Sequence, residues 1–234
     1  HGAASLLINT PNNPTGAVYG RAALEGIARA CREAGLWLIS DEVYETQVWR
    51  GTHLSPRALP GMAERTLVIG SMSKSHAMTG SRLGWVVGPG AAIAAMADLA
   101  THTTYGVPGY IQAAALWALT EGGAALEARI AAPFRRRRAL VAAALEGAPG
   151  LRVLPMEGAM YAFLDIGATG LSGTAFAEAL LEEEGIAVMP GESFGAAAAG
   201  HVRVALTAAD GVLDEALGRL ARFAAARTAG AGVA

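Results

Sequence analysis

The run Thr66-Leu67-Val68-Ile69 constrains the chain most. Short, apolar and partly β-branched, it suits a buried strand of a parallel sheet better than a helix. It gives way at once to the polar stretch Gly70-Ser71-Met72-Ser73-Lys74-Ser75-His76. Three further short apolar runs, 5–9, 36–40 and 83–87, read as strands in the same way. A helical pattern at 21–34 separates the first two, with Leu24, Ile27, Ala28 and Cys31 on one face and Gly35 placed to end it. Strands alternating with helices predict an open α/β sheet, in which ligands bind outside the carboxyl ends of the strands. Lys74 falls just past such an end.

Lys74 is also the only lysine among the 18 Lys and Arg residues of the chain. Arginine can replace lysine on a solvated surface, but its guanidinium stays protonated and cannot form a Schiff base. Two hydroxyls precede Lys74, at Ser71 and Ser73, and Arg82 follows in the glycine-flanked segment Gly80-Ser81-Arg82-Leu83-Gly84-Trp85. Hydroxyls, backbone N–H groups and a fixed cation make a cup for a phosphate dianion. A lysine beside such a cup points to pyridoxal phosphate.

The strand at 5–9 ends in the turn Thr10-Pro11-Asn12-Asn13-Pro14-Thr15-Gly16, where two prolines and a glycine forbid regular structure. The strand at 36–40 delivers Asp41 and Tyr44 to the same sheet edge as Lys74; taken alone, Asp41 reads equally as a helix N-cap. Arg203 lies in the otherwise apolar strand 201–206. An unpaired guanidinium there is costly, so it must meet water, a carboxylate or a ligand.

The motifs Ser71-x-Ser73-Lys74, Gly80-x-Arg82-x-Gly84-Trp85, Asn13-Pro14-Thr15-Gly16 and Asp41-x-x-Tyr44 together resemble the class I/II aminotransferases, fold-type I pyridoxal phosphate enzymes related to aspartate aminotransferase. The resemblance implies that Lys74 carries the cofactor as an imine and moves the substrate's α-proton. It implies that Asp41 pairs with the pyridine nitrogen, that Tyr44 and Asn13 bond the phenolic oxygen, and that Ser71, Ser73 and Arg82 hold the phosphate. Arg203 becomes the substrate-carboxylate arginine, Tyr161 is expected to line the site, and Pro190-Gly191-Glu192-Ser193-Phe194-Gly195 matches the pattern too. The implied reaction is amino transfer between an α-amino acid and a 2-oxo acid in a cytoplasmic homodimer. A C–S β-lyase on the same fold, or an aminotransferase-like sensor domain of a transcription regulator, is the alternative.

The implied fold is α/β: residues 1–125 as part of a cofactor-binding large domain, a mostly parallel sheet flanked by helices, and residues 126–234 as a small C-terminal α/β domain. The long helical pattern at 124–145 bridges the two. The chain resembles the later part of such an enzyme. Family members carry an upstream stretch with a phosphate-cup loop, an aromatic that stacks on the cofactor and a residue given to the partner subunit. A chain beginning at His1 is therefore expected to be an incomplete copy. Its four strands would lie in the middle of a seven-stranded sheet, with open edges, so that alone it binds the cofactor poorly and aggregates.

The remaining pattern predicts helices at 91–100, 110–119 and 173–184, a last helix capped by Asp210, and strands at 151–154, 159–165 and 187–189. The longest apolar stretch, 91–100, is too short to span a bilayer and carries Asp98. A net charge of −2 with interspersed signs favours neither nucleic acid nor an anionic membrane. The run Arg135 to Arg138 reads as a solvated or inter-domain helix face. Cys31, the single cysteine, permits no internal disulfide and reads as a core residue of a protein in a reducing cytoplasm. No targeting peptide is visible. His53, His76, His102 and His201 lack metal-ligand spacing and read as ordinary polar residues, and Glu42 and Glu45 as bystanders. The segments 196–200 and beyond Arg227 read as loop and disorder.

Overall fold

The computed structural model describes residues 2–230. They form two compact units, one of residues up to 12 with 18–131, the other of residues 13–17 with those from 132 onward.

In the first unit, β1 (Ser5–Asn9), β2 (Trp37–Asp41), β3 (Thr66–Ser71) and β4 (Gly84–Val87) form one sheet in that order. β1, β2 and β3 are parallel, and β4 runs antiparallel to β3. The register sets Asn9 against Asp41 and Asp41 against Ile69, so the carboxyl ends of the three parallel strands share one edge. Helix α1 (Arg21–Glu33) crosses from β1 to β2 and buries Leu24, Ala28 and Cys31 at helical spacing against Ile8, Leu38, Leu59 and Met62. It ends where Gly35, at φ +66°, lets the Leu36 amide reach back to the Cys31 carbonyl. β3 runs two residues beyond the expected strand and passes directly into α2 (Met72–Ser75), the turn that carries Lys74. Gly70 lies opposite Trp85, where a Cβ would sit 2.3 Å from the indole. Helices α3 (Gly90–Thr103) and α4 (Gly109–Trp117) follow, and a π-type turn at Ala118–Gly122 leads into α5 (Gly123–Ala144), within which the chain passes to the second unit.

The second unit contains β5 (Arg152–Val153), β6 (Tyr161–Asp165), α6 (Gly173–Glu184), β7 (Met189–Pro190), β8 (His201–Ala205) and α7 (Asp210–Gly230). Its strands form an antiparallel sheet ordered β5-β6-β8-β7. α6 starts where Ser172 Oγ accepts from the Ala175 amide and stops at Gly185, φ +62°. α7 lays Leu213, Leu217, Leu220 and Ala224 into a core with Leu164, Phe176 and Val202. Each such leucine stabilises the unit by about 2 kcal/mol.

Several expectations change. Asp210 is the first residue of α7, not its cap; Leu213 N–H donates to the Ala209 carbonyl, while the Asp210 carboxylate is taken by Arg136 and Arg137. The arginine run is solvated only in part: Arg135 and Arg136 are exposed, whereas Arg137 also reaches the Leu206 carbonyl and Arg138 the Met156 carbonyl, stitching α5 to its own unit. The tail after Arg227 continues as helix to Gly230, with Arg227 bonded to the Phe223 carbonyl and Glu183; residues 231–234 lie outside those described. Residues 196–198 make a 3-10 turn, and the strand expected at 187–189 is Met189–Pro190. No helix among the described residues is long and apolar enough to cross a membrane.

Candidate active site

At the strand ends of the first unit, Asp41 closes β2, its carbonyl accepting from Thr10 N–H and from Asn9 Nδ2 at 3.1 Å each. The Asp41 carboxylate accepts only the Val43 amide, at 3.2 Å, among its hydrogen bonds in the described structure. Burial pushes its pKa above the usual carboxylate value; the Val43 amide opposes this and neighbouring Glu42 adds to it. A half-buried carboxylate so perturbed favours a cationic partner. Tyr44, buried, sits in the turn that follows.

Lys74 lies on α2, a single turn whose N-terminus is capped by Ser71 Oγ accepting from the Ser73 amide. Gln47, fully buried, donates from Nε2 to the Lys74 carbonyl at 3.2 Å. Ser71, Ser73 and Arg82 line one cleft of about 600 Å³ with Trp85, Ile93 and Met96; Lys74, Asp41 and Tyr44 do not line it. Two hydroxyls and a guanidinium on one cleft fit the donor chemistry of a phosphate dianion. Arg82 stands in the left-handed region, φ +53°, with Nη1 on the Thr79 carbonyl at 2.8 Å.

The second unit brings Asn13, Tyr161 and Arg203 together. Residues 13–17 are held there by Gly16, whose carbonyl accepts from the amides of Glu157 and Gly158. Arg203 occupies β8, between β6 and β7, and is not on a sheet edge. Its guanidinium carbon lies 4.3 Å from the centre of the Tyr161 ring and 5.0 Å from that of Phe194. Nη1 donates to Asn13 Oδ1 at 2.7 Å, and because arginine only donates, this orients the amide with Nδ2 as its donor end. Nε is buried with no hydrogen-bond partner, and among the described residues no carboxylate pairs with Arg203. The arrangement holds a cation ready for an anion.

Two groups had no readable signal in the sequence. Glu42 is buried, 2 % exposed, with Oε2 2.7 Å from His53 Nε2 and Oε1 accepting from Ser55 Oγ at 2.8 Å. Glu45 lies within the same cluster, its pKa raised by burial and then by Glu42 and Glu127, with His53 opposing. His76 is likewise buried, its Nδ1 2.7 Å from Ser75 Oγ. Only the folded loop places these residues side by side.

A family model described as aminotransferase class I and II matches residues 2–220. The arginine–pyruvate transaminase of Pseudomonas aeruginosa is 48% identical over 221 residues, covering 94% of this chain and 56% of that protein. The aspartate/prephenate aminotransferase of Thermus thermophilus is 41% identical over 223 residues, covering 93% and 56%. Among solved structures, the aromatic aminotransferase from Pyrococcus horikoshii superposes with a TM-score of 0.89 at 40% identity, over 93% of this chain and 59% of that one. The Thermus thermophilus aspartate aminotransferase with maleate gives 0.87 at 39%, over 94% and 56%. The chain thus spans 56% of the length of these two curated relatives. With the parallel strands of the first unit and the antiparallel sheet of the second, these matches make the chain a member of the class I and II aminotransferase family.

Proposed function

We propose that the intact protein is a pyridoxal phosphate-dependent aminotransferase that moves an amino group from an α-amino acid to a 2-oxo acid. The observation that carries this reading is the only lysine of the chain, Lys74, held on one helical turn at the carboxyl end of β3, its neighbours Ser71 and Ser73 sharing a cleft with Arg82. In this reading residues 1–125 belong to the cofactor-binding large domain and residues 126–234 are the small domain. When bound, the cofactor supplies an aldehyde and a ring that accepts the electron pair released at the substrate's α-carbon.

The chain's residues supply the rest. Lys74 takes the proton from the substrate's α-carbon and returns it to the carbon of the cofactor's former aldehyde, two bonds along. The Asp41 carboxylate holds the proton on the ring nitrogen, Tyr44 and Asn13 Nδ2 donate to the phenolic oxygen, and Ser71, Ser73 and Arg82 bind the phosphate. Arg203, with Tyr161 against its face, holds the α-carboxylate and so sets the angle of the C–H bond that breaks.

Arginine with pyruvate is the first pair to assay, given the 48% identical relative named for it. A homodimer accords with the exposed Leu99, Tyr105, Tyr110 and Trp117 of the first unit, and a cytoplasmic location with the unpaired Cys31. Coupled assays of the full-length protein with amino acid and 2-oxo acid pairs test the proposal. Amino transfer abolished by Lys74→Ala is the expected result; pyruvate and ammonia released without transfer identify a lyase instead.

A further inference from the structure

A one-turn helix cannot hold itself. Nucleating a turn fixes three residues for one hydrogen bond, and α2 has only the four residues Met72–Ser75 over which to recover that cost. Its shape must come from side chains around it. Ser71 Oγ takes the Ser73 amide at the front, and Gln47 Nε2 takes the Lys74 carbonyl at the back. The third support is Ser75 Oγ, which lies 3.0 Å from the Ser71 carbonyl and 2.7 Å from His76 Nδ1.

Reading both contacts as hydrogen bonds fixes who donates in that support. A serine hydroxyl has one hydrogen, and the Ser71 carbonyl can only accept. The Ser75 proton therefore goes to Ser71, and the short contact to His76 is closed by a hydrogen on Nδ1. That assignment leaves Nε2 of the neutral ring bare; this nitrogen is buried with no hydrogen-bond partner, and the carboxylate of Glu127, 3.9 Å away, is beyond hydrogen-bond range. The imidazole side chain is 1 % exposed. Phenylalanine would fill such a space equally well if shape were all it provided.

We infer that His76 is a positioning residue for Lys74: its Nδ1–H holds the Ser75 hydroxyl in the orientation that pins the Ser71 carbonyl, and this keeps the lysine turn in register with the end of β3. The inference rests on reading Lys74 as the cofactor lysine. His76 touches neither cofactor nor substrate in this role; it acts through Ser75.

In the intact protein grown with 15N,13C-lysine, the amide peak and Cε resonance of Lys74 are identified by their loss in Lys74→Arg. Long-range 15N correlation of the histidines in the same protein reads the tautomer directly. We expect His76 protonated at Nδ1. We also expect His76→Asn, whose amide nitrogen stands near the Nδ1 position, to leave the Lys74 amide peak within a linewidth of its place. His76→Gln, whose nitrogen stands nearer the Nε2 position, and Ser75→Ala should each displace it by more than a linewidth. The double variant Ser75→Ala/His76→Gln should move it no further than either single change, since both break one link.

A neutral ring protonated at Nε2, a Lys74 peak unmoved by His76→Gln, or an equal displacement by His76→Asn overturns the inference. Ser75→Ala removes only a hydroxyl, and so keeps the test decisive if a ring replacement fails to fold. These readouts need neither cofactor nor substrate. A protein without amino-transfer activity would refute the proposed function and leave them as they are.

Discussion

Arg203 Nη1 donates to Asn13 Oδ1 at 2.7 Å, joining two residues 190 positions apart in one unit. The bond uses one donor of a guanidinium already laid against Tyr161 and leaves its Nε buried and unpartnered. Such a group is costly in a folded interior unless something completes it.

A substrate carboxylate is what Arg203 is proposed to receive. Arg203→Ala should lower kcat/KM for α-amino acids about 10- to 100-fold or more, the worth of a lost charge-assisted pair of hydrogen bonds. Arg203→Lys should recover little, because a point charge neither forks nor stacks on the ring. Steady-state kinetics on amino acids and on the matching amines check this. An equal loss for both would remove the carboxylate role.

Asp41 predicts opposite signs for stability and activity. Its folded pKa is raised, chiefly by burial, so between the unfolded value near 3.8 and the raised value the folded state binds more protons than the unfolded one. Stability without cofactor therefore falls as pH rises through that window. Asp41→Asn, which keeps an oxygen for the Val43 amide, should raise the melting temperature of the cofactor-free protein at neutral pH and impair amino transfer. Calorimetry and assays on the same preparation test both halves.

Asp210 titrates the other way. Arg136 and Arg137 hold its carboxyl down at about 2 from an ordinary 3.8. The contribution is present above pH 3.8 and lost as pH falls through about 2. Urea midpoints of the parent and Asp210→Asn should differ by a constant amount above that window and converge below it. A difference unchanged at low pH would mean that the pair does not act through charge.

Gly191 tolerates no side chain. A Cβ there would lie 1.9 Å from the Ala198 carbonyl oxygen and 2.8 Å from that of His201, both backbone atoms. Gly191→Ala should cost about 1–3 kcal/mol, the usual range for overpacking a filled interior. Equilibrium urea unfolding followed by far-UV circular dichroism measures it.

Much of the fold was readable in the residues themselves. Helix α6 runs over Gly173–Glu184 as its pattern predicts, because a serine cap before it and a glycine after it are local signals. The short apolar runs found their strands for the same reason: periodicity and length are properties of a contiguous segment. Lys74 announced itself by being unique, and Arg203 by breaking an apolar strand. Boundaries were less legible where a long-range partner settles them. Asp210 resembled a cap, but two arginines 74 and 73 positions earlier claim its carboxylate, and no local pattern carries that information. Helix α7 likewise continues past Arg227, which bonds Glu183 on another helix.

The sequence by itself determined the element types, the family motifs and the kinds of side chain available for chemistry, since each is a property of one residue or one short run. Tertiary structure alone decided that Glu42 is buried between His53 and Ser55, that Asn13 meets Arg203, and that His76 faces Ser75 with its other nitrogen towards Glu127. Burial, hydrogen-bond partner and tautomer depend on which atoms arrive from elsewhere in the chain, and only the closed fold brings them within 3 or 4 Å.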